Sequence, residues 1–205
     1  MITVIDYGRG NLFSLDQALK KIGAEAERVH AGDGVEAATK LILPGVGAFG
    51  DAMLGLKERG LVEPIREAVA RGVPMLGICV GMQLLFTKGE EFGNHDGLNL
   101  VPGTVRRLPD SETKDADRIP NVGWRKVHPG PAAAAVGIEP GAEFYFVHSF
   151  APVVDDAADV AGTISFNGKD VAIAVARGSV AGVQFHPEKS GAAGLAFLKA
   201  FADKT

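Results

Sequence analysis

Residues 73–86 read VPMLGICVGMQLLF, and the reading of this stretch decides the fold. Val73 to Ile78 has the continuous apolar character of a short buried strand, and Met82 to Phe86 that of the start of an amphipathic helix. Cys79 therefore falls on the turn between them. A strand-to-helix turn this tight needs neighbours without side chains. Gly77 and Gly81 flank it, and glycine tolerates strained dihedrals and leaves room for a substrate to approach the sulfur. At the start of a helix, unpaired amides and the macrodipole favour an anion, here a thiolate. Cys79 is the only cysteine in the chain. Taken alone, it is also compatible with an inert buried thiol.

Upstream, strand and helix patterns alternate: strand Ile2 to Ile5, helix Leu12 to Ile22, strand Glu25 to Val29, strand Leu41 to Leu43, helix Ala48 to Lys57 and helix Val62 to Arg71. The first helix has Asn11 as N-cap and sets Leu12, Leu15, Leu19 and Ile22 along one face. Alternation of this kind builds a parallel sheet through right-handed crossovers. Cys79 is then expected at a strand's carboxyl end, the edge where open α/β sheets bind ligands. Downstream come a Gly-rich stretch, strand Thr104 to Arg107, an exposed loop from Pro109 to Arg118, and a surface segment Pro131 to Ala135. Strands Glu143 to Val147, Asp159 to Ile164, Val171 to Val175 and Val180 to Phe185 precede a last helix, Ala192 to Ala202. The expected fold class is α/β, a mostly parallel central sheet flanked by helices with extra antiparallel strands in the second half, forming a single domain over 1–205.

A chain of 205 residues can bury a substantial core without disulfides or metal. A net charge of -4 argues against a protein that binds nucleic-acid backbones. A lone cysteine cannot close an internal disulfide, so a reducing compartment, the cytoplasm, is expected. Met1 to Asp6 enters a strand without the basic and apolar regions of an export signal. The longest uncharged stretch, Val73 to Thr87, is too short and too interrupted to span a membrane. One cysteine and no His-x-x-x-His spacing leave a zinc site without support. Gly8-Arg9-Gly10 lacks the third glycine of a dinucleotide fingerprint because position 13 is Phe13, so no cofactor is expected.

Near the C-terminus, Gly182-Val183-Gln184-Phe185-His186-Pro187-Glu188 sets a histidine two residues from a carboxylate. In an extended segment both side chains point to one side, and Pro187 fixes the backbone between them. Glu188 can then orient the imidazole while its other nitrogen faces a nucleophile such as Cys79. His30, His95 and His128 read as surface residues. His148 ends the apolar strand of Phe144-Tyr145-Phe146-Val147 and is expected to line the site. Acyl transfer also needs donors to an oxyanion. Leu43-Pro44-Gly45-Val46-Gly47 follows a strand and could present backbone N–H groups, with the amide of Val80 as a second donor.

Gly77-Ile78-Cys79-Val80-Gly81-Met82-Gln83, taken with Gly182 to Glu188, resembles the class I (triad) glutamine amidotransferases. Within them, Ile5-Asp6-Tyr7-Gly8-Arg9-Gly10-Asn11-Leu12, Leu43 to Phe49, Ile119-Pro120-Asn121-Val122-Gly123-Trp124 and His186-Pro187-Glu188-Lys189-Ser190-Gly191 are similar to glutaminase subunits of imidazole glycerol phosphate synthases. The resemblance implies a flavodoxin-like amidotransferase fold and a glutaminase in which Cys79 attacks the carboxamide of glutamine, His186 shuttles the proton and Glu188 orients His186. It implies an oxyanion hole from Val46, Gly47 and Val80, and glutamine contacts at Gly45, Gly47, Gln83, Ser149 and Phe150. It also implies a heterodimer with a cyclase subunit of TIM-barrel fold, which receives the ammonia and makes imidazole glycerol phosphate and aminoimidazole carboxamide ribotide in histidine biosynthesis. Asn11, Trp124 and Lys189 are the expected partner contacts. Two positions depart from the family's habit: Arg125 stands where relatives often carry a smaller polar residue, and Phe150 where they often carry tyrosine. A glutaminase of another synthase, a non-catalytic regulatory subunit and a cysteine peptidase are the alternatives.

Overall fold

The computed structural model describes residues 1–111, 113 and 116–204; part of the expected 109–118 loop thus lies outside the described residues. The strands are β1 (Ile2–Ile5), β2 (Ala26–Val29), β3 (Leu41–Gly45), β4 (Met75–Cys79), β5 (Phe86–Gly89), β6 (His95–Asp96), β7 (Val101–Arg107), β8 (Asn121–Lys126), β9 (His128–Pro129), β10 (Glu143–His148), β11 (Phe150–Val154), β12 (Val160–Phe166), β13 (Lys169–Arg177) and β14 (Val180–Val183). The helices are α1 (Leu12–Lys21), α2 (Gly32–Glu36), α3 (Phe49–Glu58), α4 (Val62–Ala70), α5 (Val80–Gln83), α6 (Ala133–Val136) and α7 (Gly191–Asp203).

The main sheet runs in the order β2-β1-β3-β4-β14-β13-β12-β9, parallel from β2 to β14 and antiparallel beyond. β1, β3 and β4 are buried at every position, as a parallel strand covered on both faces must be. In register, Gly45 lies opposite Cys79, and Val183 opposite Ile78. The carboxyl ends of β3, β4 and β14 thus finish side by side, and the loops that follow meet above them.

A small sheet, β11-β7-β5-β6, and the two-stranded β10-β8 ladder close the other side of this edge. Three expectations fail here for physical reasons. The helix expected from Met82 to Phe86 is a single turn, α5, and Phe86 already begins β5. Leu84, Leu85 and Phe86 are buried alike, and a short apolar run carries no period that separates helix from strand. β8 was not expected because its pattern is inverted, with Asn121 buried while Val122 and Trp124 are exposed. β11 contains Pro152, which suits it to the edge of its sheet, where it lies. In the segment 131–135 expected on the surface, Ala133 is buried at the start of α6. Asn11 occupies the N-cap position of α1 but makes no capping bond with its side chain.

α7 anchors the end of the sheet through an aromatic cluster: Phe144 and Phe185 stack with centroids 3.8 Å apart, and Phe197 meets both edge-on. Phe185 is thereby fixed directly before His186.

Candidate active site

Cys79 adopts φ 56 and ψ -116, a conformation that non-glycine residues avoid at a cost of about 1–3 kcal/mol. The strain is borne by the cysteine itself and not, as the sequence suggested, by the flanking glycines. Those are needed for close approach instead. A Cβ on Gly81 would sit 1.8 Å from the Leu43 carbonyl oxygen, and one on Gly77 2.7 Å from the Gly81 carbonyl oxygen. The turn presses β3, β4 and α5 together and holds the sulfur at the sheet edge, with the residue only 5% exposed. With α5 reduced to four residues, the expected macrodipole is minor.

His186 is held from both ends of its backbone. Its N–H donates to the Tyr145 carbonyl (3.0 Å), and its carbonyl accepts from Ser190 Oγ (2.7 Å), which itself accepts from the Tyr145 N–H (2.9 Å). The next residues, Pro187–Lys189, form a 3-10 turn, so the extended geometry expected for His-Pro-Glu is wrong. The turn nevertheless brings Glu188 Oε1 to 2.8 Å from His186 Nδ1, with both side chains buried. The imidazole and the Cys79 side chain border the same cavity. Burial pulls the His186 pKa down, but the nearby Cys79 side chain and the hydrogen bond and charge of Glu188 outweigh it and raise it to about 9. The ring is therefore cationic near neutral pH, between a carboxylate and a sulfur. Such a line can deliver a proton to a leaving group and take one from water.

Buried amides complete the floor. Gln184 Nε2 lies 3.6 Å from Cys79 Sγ, Gln83 Nε2 donates to Gln184 Oε1 (3.0 Å), and the same nitrogen reaches the Phe150 carbonyl (3.2 Å). Above them is a cavity of about 280 Å³ bordered by Val46, Gly47, Cys79, Val80, Gln83, Glu91, Ser149, Phe150 and His186. A space of this size suits a small molecule and not a peptide. The carboxylate at its rim is Glu91, whose Oε2 also accepts from the Phe49 N–H at 2.8 Å.

Most of the residues expected at the site converge. Val46, Gly47 and Val80 face the cavity with Gln83, Ser149 and Phe150. Gly47 has φ +90 with open space at its Cα, and Val46 is 38% exposed. Gly45 lies one layer down, where a Cβ would be 2.6 Å from the Tyr7 hydroxyl and from the Gly81 nitrogen. His148 borders the cavity as expected, while His30 and His128 are exposed and His95 packs against Gly50. Asn11 shares a small recess with Pro44, His186 and Glu188 behind the β3 loop. Trp124 and Lys189 are exposed. Sequence reasoning missed Gln184, Ser190 and Glu91. Gln184 sits inside the motif read for His186, and a buried amide in a strand-end apolar run was a signal available there.

The family model for class-I glutamine amidotransferases matches residues 3–204. The chain belongs to that family. Among amidotransferases, it is 47% identical over 203 residues to the imidazole glycerol phosphate synthase subunit HisH of Moorella thermoacetica, covering 98% of this chain and 94% of that one. It is 46% identical to the subunit of the same name from Syntrophotalea carbinolica, covering 99% and 100%. The fold is shared with the solved structure of PurLQS from Thermotoga maritima, at 22% identity, a TM-score of 0.73 and coverage of 98% and 96%. The amidotransferase chain therefore has the expected class of fold: α/β, mostly parallel at its core.

Proposed function

We propose that this chain is the glutaminase subunit of an imidazole glycerol phosphate synthase, acting in histidine biosynthesis in the cytoplasm. The observation that carries the reading is the buried line of Cys79 sulfur, His186 imidazole and Glu188 carboxylate at the wall of a small cavity. The near full-length likeness to proteins of that name supports it. The Cys79 thiolate attacks the side-chain carboxamide carbon of glutamine, and the oxyanion is met by backbone N–H groups of Val80 and of the Val46–Gly47 segment. His186 gives its proton to the amide nitrogen, the C–N bond breaks, and ammonia departs to leave a glutamyl thioester on Cys79. Neutral His186 then takes a proton from water, the resulting hydroxide attacks the thioester, and collapse expels the thiolate. The acid formed ionises to glutamate, and the cationic ring is restored.

Glutamine is held by contacts at Gly47, Gln83, Ser149 and Phe150, with Gly45 packed beneath them and the Glu91 carboxylate placed to face the substrate's amino group. Exposed Val122, Trp124 and Val147, neighbours across the β10-β8 ladder, form an apolar patch beside the cavity mouth. This patch, with Asn11 and Lys189, receives the TIM-barrel cyclase subunit, into which the ammonia passes to make imidazole glycerol phosphate and aminoimidazole carboxamide ribotide. The Pro44–Gly47 loop rotates its donor into place when the partner is loaded. The test measures glutamate release by the chain alone, with the cyclase, and with the cyclase and its nucleotide ligand. Release that rises with each addition is expected; no release in any mixture, or a full rate from the chain alone, would overturn the reading.

A further inference from the structure

The Ser149–Phe150 wall of the cavity lies where the chain leaves the β10-β8 ladder and enters the sheet of β11 and β7, so it is a junction between two sheets. The Phe150 carbonyl at this junction accepts from Gln83 Nε2 and, at 2.9 Å, from His148 Nδ1. A ring that donates from Nδ1 while neutral must accept at Nε2. Burial first, then the positive His186 and Arg125, outweigh the bond to Phe150 and push the His148 pKa down to about 4, so the ring is neutral. Its Nε2 accepts from Asn121 Nδ2 at 2.9 Å, which fixes the amide nitrogen of Asn121 toward the histidine. The amide oxygen, Oδ1, accepts from Arg125 Nε at 3.0 Å. Arg125 is anchored in turn: Nη2 donates to Asp117 Oδ1 at 2.7 Å, Asp117 Oδ2 accepts from the Asn167 N–H at 3.1 Å, and the guanidinium stands 5.6 Å over the Phe166 ring.

Each link in this chain has one allowed orientation. A guanidinium can only donate, so it selects one of the two flips of the Asn121 amide. That amide selects one tautomer of His148, and that tautomer supplies the second donor to the Phe150 carbonyl. We infer that Arg125 is a positioning residue for the glutamine pocket, acting through Asn121 and His148 to hold the Ser149–Phe150 wall. Without the guanidinium the amide can turn over, its oxygen then faces a ring nitrogen lone pair, and His148 relieves the clash by moving its proton to Nε2. The Phe150 carbonyl loses a donor as a result. The consequence falls on substrate binding and not on the Cys79–His186–Glu188 line, because none of these links touches those three side chains.

The inference rests on the glutaminase reading and is tested in two arms. In Arg125→Leu, assayed with the cyclase partner, KM for glutamine rises about tenfold while kcat stays within about threefold; Arg125→Lys, which keeps a charged donor, restores KM to within about threefold. In the free chain, long-range proton–nitrogen NMR of the His148 ring shows the Nδ1–H tautomer alone, and Arg125→Leu shows a mixture. Arg125→Gln serves as a second variant should Arg125→Leu fold poorly. Its amide can accept as well as donate, so it no longer selects one flip of Asn121, the His148 tautomers mix and KM rises similarly. An unchanged tautomer, or an unchanged KM in the substituted chains, overturns the inference. If the unsubstituted chain releases no glutamate, the functional reading fails separately, and the NMR arm still decides whether the relay exists.

Discussion

Gly81→Ala isolates the packing that builds the cysteine turn. The added Cβ would lie 1.8 Å from the Leu43 carbonyl oxygen and 2.8 Å from its carbon, whereas Cβ atoms essentially never come within 3.0 Å of a neighbour. The obstacle is backbone on β3, opposite Gly77 of β4, so no flexible side chain can yield. The end of β3 must retreat from the turn by about 1.2 Å, the difference between those distances. That end carries Pro44 to Gly47, so the proposed oxyanion donors move away from the sulfur by a comparable amount. A misplacement of about 1 Å at reacting groups costs about 100-fold in rate. Overpacking costs about 1–3 kcal/mol of stability, a few degrees of Tm for a chain of this size. The assay is kcat/KM for glutamate release in the complex, with thermal unfolding measured in parallel. Gly72→Ala is the control: its φ is +86, but its Cα faces open space far from the turn. It should lose stability yet keep its kcat/KM. A Gly81→Ala enzyme within threefold of the unsubstituted rate would refute this account of the turn.

The raised pKa of His186 makes stability depend on pH. Its folded value of about 9 lies above the ordinary 6.5, so the bound proton stabilises the fold fully below about 6.5, and that share is lost as pH rises through 9. The span corresponds to about 3 kcal/mol. Urea unfolding of the unsubstituted chain and His186→Gln should show a stability gap that shrinks by about that amount from about pH 6 to about pH 10; a gap independent of pH would contradict the ion pairing. Gln184→Met removes the amide beside Cys79 Sγ and orphans Gln83 Nε2 from one acceptor. It should lower kcat at least about tenfold and destabilise by about 1–3 kcal/mol, measured by steady-state kinetics and denaturant unfolding. An unchanged kcat would remove Gln184 from the site.

The parallel half of the fold was legible because β1, β3 and β4 are buried on both faces and almost wholly apolar, and runs such as Leu41-Ile42-Leu43 carry that plainly. The Cys79, His186 and Glu188 residues were legible because each sits in a short motif with its own local geometry. The antiparallel half was harder to read. β8 turns a buried Asn121 inward and Trp124 outward, so alternation pointed to the wrong face, and Pro152 argued against β11. The contacts that orient the site were not legible at all. Gln184 reaches Cys79 across 105 residues of sequence, and Ser190 ties His186 to Tyr145 across 45. Such pairs are set by which strands lie side by side, and no local pattern records it. Arg125 looked like a mere departure from family habit until its bonds to Asn121 and Asp117 gave it a place.

The most direct test of the central chemistry is capture of the acyl intermediate. The complex with its cyclase partner and nucleotide ligand is mixed with isotopically labelled glutamine, quenched in acid within one turnover, digested and examined by mass spectrometry. The account predicts labelled glutamyl bound to the peptide containing Cys79, lost on treatment with hydroxylamine and absent from Cys79→Ser. Labelled glutamate appearing at the full rate with no adduct on Cys79 at any time point would contradict it.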